Sequence, residues 1–505
     1  MKKLQDLLTD EKVINFGESQ VIKGLANNSD KVEKDYAFFA IKGSSTDGHN
    51  FIESAISKGA NTIFIQDASL IDKLKRDYPQ VNIVFSENTR KSLATASNKF
   101  YDEPSKYLKV IGITGTNGKT SVSNLLAQYY EKVGYKVGVI GTINYRIGDE
   151  IISSGHTTPD PIQWFKTLSL MKEKGCNVVV AEVSSHAADQ LRVYSTIFHG
   201  GIFTNLTQDH LDYHRTMENY FLAKREFFKQ IQLFNDKAIG SINIDDPYGK
   251  RIYDDFKEKI DFITYGFEGE FKIKDYKLSI FETLFNVEYK GKNIAFKTKL
   301  RGLFNVFNLS ASISFLIKDG FDMDFLQSTT LDLKPIKGRF EVVEGKDFII
   351  VIDYAHTPDA LENILKSLNQ IKQNRIITVF GAGGNRDRTK RPLMGKVAED
   401  LSDVVIITSD NPRFEDPNQI INDILEGITQ KSKVQVEPDR KKAIKYAIKM
   451  AQKGDIVLIA GKGHENYQII KDQVIPFDDK EVAIQILKEL WYDNKNTLCS
   501  SWRNY

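Results

Sequence analysis

The stretch KVIGITGTNGKTSVSNLL, from Lys109 to Leu126, holds the residues best suited to chemistry. An apolar run ends in a glycine-rich turn, Gly115, Thr116, Asn117 and Gly118, followed by Lys119 and Thr120 and then by a segment with helical spacing. Such a turn points successive backbone N–H groups and a helix N-terminus at an anion. Lys119 is then placed for a terminal phosphate and Thr120 for a magnesium ion. The general phosphate-loop pattern asks for glycine where this chain has Ile113; its glycines are Gly112, Gly115 and Gly118.

An apolar strand precedes this loop and a second, KVGVIGTI, follows the helix, as a βαβ unit requires. At 505 residues the chain exceeds one core, and three α/β domains are expected. Residues 1–106 alternate short strands such as YAFFAIKG and TIFIQ with helical stretches. Residues 107–334 begin with the phosphate loop, which predicts a central mononucleotide-binding domain. They continue with the buried-strand runs NVVVAEV and GGIFTNL, and residues 261–300 read as antiparallel edge strands. Residues 335–505 start again with FIIVIDYAHTPD, RIITVFGAGGNRD, DVVIITSDNPRFEDP and DIVLIAGKGHENY, a Rossmann-like pattern of strands running straight into polar loops. Ligands on open parallel sheets sit at the carboxyl ends of strands, so a cleft between the last two domains is expected.

With 69 basic against 67 acidic residues the chain has no polyanion-binding balance, and no basic run suggests nucleic acid. No signal peptide and no apolar stretch of about 18 residues is present, which predicts a cytoplasmic protein without membrane contact. Cys176 and Cys499 alone exclude a disulfide framework, and Cys176 is expected to pack. The final segment, WYDNKNTLCSSWRNY, lacks periodicity and reads as a loose tail.

Further motifs extend over nearly the whole chain: TTPD at Thr157 to Asp160, EVSSHAADQLR at Glu182 to Arg192, FTNLTQDHLDYH at Phe203 to His214 and YFLAKREFF around Lys224. RGLFNVFN, GRFE at Gly338 to Glu341 and DYAHTPD at Asp353 to Asp359 follow. Together with GTNGKT they resemble the Mur ligases. DNPRFEDP and GKGHENYQI resemble the family branch that adds the third peptide residue to UDP-N-acetylmuramoyl-L-alanyl-D-glutamate.

The resemblance implies an amide ligase: ATP phosphorylates a carboxylate and an amine attacks the acyl phosphate, with magnesium and cationic side chains neutralising charge. It implies that Lys119 holds the transferred phosphoryl group, that Glu182, His210 and Thr120 serve magnesium, and that Lys224 is carbamylated to a magnesium-binding anion. Gly115 to Thr120, Asn305, Asn308, Arg339, Asp353 and His356 would form the ATP site. Ser29, Thr157, Thr158, Ser184 and Arg192 would hold the UDP-sugar dipeptide. In the first domain Asn28, Ser29 and Asp30 stand where relatives carry Asp-Ser-Arg, so an anion replaces a cation.

In the last domain Arg413 resembles the arginine that meso-diaminopimelate-using relatives place on the distal carboxylate. Arg386, Asp410, Asn411, Pro412, Gly461 and Glu465 would complete that site, with Glu465 on the distal ammonium. Lysine has no distal carboxylate and would leave a buried guanidinium unpaired. Meso-lanthionine carries the same end groups and stays open, as does L-lysine. The expected partners are small molecules, and the expected state is a monomer. A folylpolyglutamate synthetase would share the ATP machinery but not DNPR and GKGHE. A nucleotide-driven switch would explain the phosphate loop alone and leave Lys224, Arg192 and Arg413 without work.

Overall fold

The computed structural model describes residues 1–43, 46–153, 156–279 and 281–501. Three main sheets organise the chain. The first has five strands in the order Lys12–Asn15, Asn82–Phe85, Ala60–Ile65, Tyr36–Phe39 and Gly24–Ala26. Apart from the antiparallel Lys12–Asn15 its pairings are parallel, and helices cover its apolar faces.

The second sheet has eleven strands. Its middle is parallel, in the order Val137–Ile140, Val178–Glu182, Lys109–Thr114, Phe198–Phe203, Ile239–Asn243 and Asp261–Gly266. These strands are nearly continuous apolar runs because both faces are covered. Residues 261–300 are not all antiparallel, as the sequence suggested: Asp261–Gly266 pairs in parallel with Ile239–Asn243 after the crossover helix Pro247–Phe256. Antiparallel pairing holds for Phe271–Leu278, Thr283–Tyr289 and Lys292–Thr298, whose polar alternation suits an edge.

The third sheet runs Glu341–Glu344, Ile349–Asp353, Ile456–Ala460, Ile376–Phe380, Val404–Ile407 and Val434–Val436, parallel except for the first pair. The segment expected to be a loose tail continues a helix, Asp479–Ser501; residues 502–505 lie outside the described residues. Ala483, Ile486 and Leu487 pack this helix onto the sheet, and Asp479 forms a fully buried ion pair with Arg440 at 2.7 Å. Cys176 is buried in the central core, as expected.

A row of small residues crosses the central sheet in register: Ala181, Gly112, Gly201 and Gly240. The helix Met217–Phe234 lies against the middle of it. A Cβ on Gly112 would stand 2.3 Å from the Phe227 ring, and one on Gly201 2.5 Å from Ile231. The missing side chains let this helix approach closely enough to bring Lys224 beneath the phosphate loop. Gly112→Val should therefore lower the unfolding free energy by about 1–3 kcal/mol through overpacking. Denaturant titration measures this, and an unchanged midpoint would refute the account.

Candidate active site

The strand Lys109–Thr114 delivers the phosphate loop, and the helix Lys119–Lys132 leaves it. Gly115 (φ +150°) and Gly118 (φ +89°) take conformations that disfavour side chains, and a Cβ on Gly115 would stand 1.9 Å from Thr204 Oγ1. Lys119 folds back over the loop, its Nζ donating to the Gly115 and Thr116 carbonyls at 2.9 Å each. Burial lowers its pKa, against the opposing pull of Glu182 and Asp209.

Lys224 is no solvated surface lysine: it is 1% exposed, and its Nζ donates to the same Gly115 carbonyl at 2.7 Å. The ammonium lies 4.7 Å from the ring centre of Tyr220, whose hydroxyl meets Thr116 Oγ1 at 3.1 Å. Burial and repulsion by Lys119 push its pKa well below the usual lysine range.

Glu182, at the end of its strand, is a hub rather than a salt-bridge partner. Its carboxylate accepts from Thr120 Oγ1 at 3.1 Å and from both the N–H and the hydroxyl of Thr142 at 3.0 Å. Thr142 Oγ1 also meets Thr157 Oγ1 at 3.0 Å. Thr158, buried, donates to the Glu182 carbonyl at 2.8 Å and accepts the Ser184 N–H at 3.0 Å. Ser184 Oγ caps the short helix Ser185–Asp189. Arg192 donates to the Thr158 carbonyl at 2.9 Å and to Gln190. It lines a cleft of about 200 Å³ with Asn27 and Arg90 of the first sheet's unit. Ser29 is buried in its own turn and does not line this cleft. The anion at Asp30 is exposed and paired with Lys58 at 2.7 Å, which also lowers its pKa.

His210 adopts a left-handed backbone conformation (φ +54°) at the start of Leu211–His214. Asp209 Oδ1 accepts the His210 N–H at 2.9 Å, and Lys390 approaches Asp209 at 3.6 Å from the third sheet's unit. Burial pushes the His210 imidazole down to about 3, so it is neutral at pH 7, the form that ligates metals. Among the described residues no group of three or more His, Cys, Asp or Glu stands ready for a metal. Magnesium needs none: it takes one or two protein oxygens and completes its shell with phosphate and water. Thr120 Oγ1 and Glu182 Oε2 fit that demand.

A second cleft of about 330 Å³ opens between the central and third sheets' units, lined by Asn117, Gly118, Asn308, Arg339, Asp353 and His356 among others. Asn305 does not line it; it supports Asn308, accepting its amide at 3.2 Å. Arg339 crosses to Thr120 Oγ1 at 3.2 Å and stacks 4.5 Å from the Tyr354 ring centre. Asp353 accepts the N–H groups of Phe340 and Ala355, at 2.7 and 2.8 Å, and burial raises its pKa. Burial, with Lys390 nearby, pushes His356 down to about 4. Asp359 reaches Asn117 at 2.7 Å and Thr207 at 3.3 Å, so the two units meet across the cleft. Asp359 and Asp209 lay in the DYAHTPD and FTNLTQDHLDYH motifs without a role, and Thr142 and Lys390 carried no signal of their own.

At the carboxyl edge of the third sheet, Arg413 does not bridge its sequence neighbours. Glu415 pairs with Arg391 at 2.8 Å, and Asp416 caps the helix Pro417–Leu425. Arg413 Nη1 donates instead to the Gly384 carbonyl at 2.9 Å, and burial with repulsion from Arg386 lowers its pKa. Its backbone (φ +52°) is pinned to the hairpin Tyr467–Ile470 and Gln473–Pro476, donating to Ile469 and accepting from Lys471. Asp410, Asn411 and Pro412 are buried beside it, while Arg386 is exposed. Gly461 (φ +114°) leaves room for Asp410, whose Oδ2 a Cβ would approach to 2.6 Å. Glu465 Oε2 is already engaged by Asn411 at 2.8 Å and by Lys462 at 3.1 Å. Lys462 is fully buried; the sequence placed it in GKGHE without assigning it work.

Comparison with known proteins bears on the whole chain. Residues 21–128 match the family described as "Mur ligase family, catalytic domain", residues 113–316 the "Mur ligase middle domain", and residues 338–463 the "Mur ligase, glutamate ligase domain". A relative from Aquifex aeolicus (strain VF5), named UDP-N-acetylmuramoyl-L-alanyl-D-glutamate--2,6-diaminopimelate ligase, is 48% identical over 92% of this chain and 94% of its own. A Clostridium acetobutylicum protein of the same name, numbered 1, is 43% identical over 97% of this chain and all of its own. A solved structure titled as that ligase superposes with a TM-score of 0.68 at 32% identity, covering 97% of this chain and 99% of its own. With the fold, the two clefts and this similarity along its length, the chain belongs to the Mur ligase family.

Proposed function

We propose that the protein is an ATP-dependent ligase of peptidoglycan synthesis that joins meso-diaminopimelate to UDP-N-acetylmuramoyl-L-alanyl-D-glutamate through an acyl phosphate. The observation that carries the choice of amine is Arg413, whose side chain donates to a main-chain carbonyl while the neighbouring carboxylate, Glu415, is taken by Arg391. A distal substrate carboxylate would complete its bidentate fork. The names of the similar relatives support the same reading.

In this reading residues 1–106 bind the UDP-sugar, residues 107–334 bind ATP and residues 335–505 bind the amino acid, in a cytoplasmic monomer. No helix among the described residues is long and apolar enough to cross a membrane. Lys119 and the loop N–H groups grip the terminal phosphates, and Arg339 neutralises charge from the opposite wall. The dipeptide carboxylate approaches from the Arg192 cleft, past Thr157, Thr158 and Ser184. Bound magnesium would supply charge neutralisation for phosphoryl transfer, held through Thr120, Glu182 and His210 with the Lys224 carbamate as a further anion. The contact of Asp359 with Asn117 joins the two walls of the ATP cleft, and closure there would keep water from the acyl phosphate.

ATP-dependent phosphate release with UDP-N-acetylmuramoyl-L-alanyl-D-glutamate and meso-diaminopimelate, meso-lanthionine or L-lysine in turn tests this reading. Turnover with diaminopimelate at least about thirtyfold above lysine is expected, the scale of one lost charge-assisted pair. Arg413→Ala should erase most of that margin, and preference for lysine in the unaltered protein would overturn the choice of amine.

Carbamylation needs the neutral amine, and burial together with Lys119 shifts Lys224 toward that form. Lowering the pH protonates the amine and should expel carbon dioxide. An NMR carbamate signal from isotope-labelled carbon dioxide is expected at pH 8, weakening toward pH 6 in step with activity and absent in Lys224→Ala. A signal that persists in that variant would refute the assignment to Lys224.

A further inference from the structure

Lys462 is 0% exposed, and its ammonium sits among three groups: Asn411 Oδ1 at 3.2 Å, Glu465 Oε2 at 3.1 Å and, more distantly, Asp410 Oδ1 at 3.9 Å. Asn411 Oδ1 also accepts the Ile469 N–H at 2.9 Å, and the Ile469 carbonyl accepts the Arg413 N–H at 3.0 Å. One buried cation therefore ties the DNPR loop, the GKGHE loop and the hairpin that presents Arg413. It also engages one of the two oxygens of Glu465, the carboxylate expected to receive a substrate ammonium.

The Arg, Lys, Asp and Glu side chains that act electrostatically on Arg413 and Glu465 have a definite sum. Arg386, Arg413 and Lys462 face Asp410 and Glu465, while Arg440 and Asp479 cancel each other in their own buried pair. One positive charge is left over. Diaminopimelate entering with its attacking amine neutral carries two carboxylates and one ammonium, a net of one negative charge, and it balances the site. Lysine in the same state carries one of each and leaves the excess uncompensated, with Lys462 held away from water and Arg386 screened at the surface.

Resting on the amino-acid reading above, we propose that Lys462 is a specificity-determining positioning residue, whose buried charge orients Glu465 and Asn411 and biases the site toward an amino acid with two carboxylates. Arg413 recognises the distal carboxylate directly; Lys462 sets the charge balance that makes a second carboxylate necessary. A lysine holding the loops for packing alone would affect both amines equally.

The test is kcat/KM for meso-diaminopimelate and for L-lysine in the full chain and in Lys462→Met, which keeps the length and apolar stem, with Lys462→Gln as a second variant that retains a donor. The ratio of the two kcat/KM values should fall about tenfold or more in both variants, the scale of two opposite unit charges about 12 Å apart at an effective dielectric near 20. KM for ATP should stay unchanged. A diaminopimelate preference that survives both substitutions, with both amines losing activity in proportion, overturns the inference and leaves the substrate reading standing. A preference for lysine in the unaltered protein overturns the substrate reading and the inference with it.

Discussion

Two buried lysine side chains donate to one carbonyl oxygen, that of Gly115: Lys119 at 2.9 Å and Lys224 at 2.7 Å. Two positive charges this close in a buried site repel, which favours the neutral form of Lys224, and such an arrangement persists only where the fold forces it. Here the force is packing. The row of Gly112, Gly201 and Gly240 lets the helix carrying Lys224 sit close to the sheet, and the strand containing Gly112 carries the loop that folds Lys119 back. Glu182 and Asp209 offset part of this charge, and the phosphates of a nucleotide and a carbamate on Lys224 are further anions its chemistry would accept.

The second constraint is that no single sheet holds the whole site. Thr120, Glu182 and His210 come from the central unit, while Arg339 and Lys390 arrive from the third. The contacts from Arg339 to Thr120 and from Asp359 to Asn117 cross the same cleft. Glu182 links two further ligand regions, since Thr142 connects its carboxylate to Thr157 and its own carbonyl holds Thr158. A displacement of that strand end would be felt at Thr120 and at Thr157 and Thr158 together.

Much of this was legible in the sequence where local patterns carry it. The apolar runs ending in polar loops gave the three parallel sheets, and the glycines of the phosphate loop gave its turn. What stayed hidden depends on distant partners. Nothing local marks Thr142 as a Glu182 ligand, or Lys390 as a partner for Asp209. Lys224 looks like a surface residue in FLAKREFF, and only the resemblance pointed to it, because its burial comes from glycines on other strands. The last helix was misread because its apolar face is short: Ala483, Ile486 and Leu487 pack at its start, after which the polar composition suggested a tail. Asp30 looked like a defect in a binding motif and is instead matched by Lys58, 28 residues away in sequence.

The buried pair of Arg440 and Asp479 reaches further than anchoring a helix. Arg440 also donates to the Ala460 carbonyl at 2.9 Å, immediately before Gly461, and so braces the loop that carries Lys462 and Glu465. Until residue 479 is available, that guanidinium is a buried charge without its carboxylate, and the loop has no brace. In a chain made from its N-terminus, the phosphate loop can be complete hundreds of residues earlier than the loop that Arg440 braces. A nascent chain would therefore hold its phosphate loop well before the loop that carries Lys462 and Glu465 is braced.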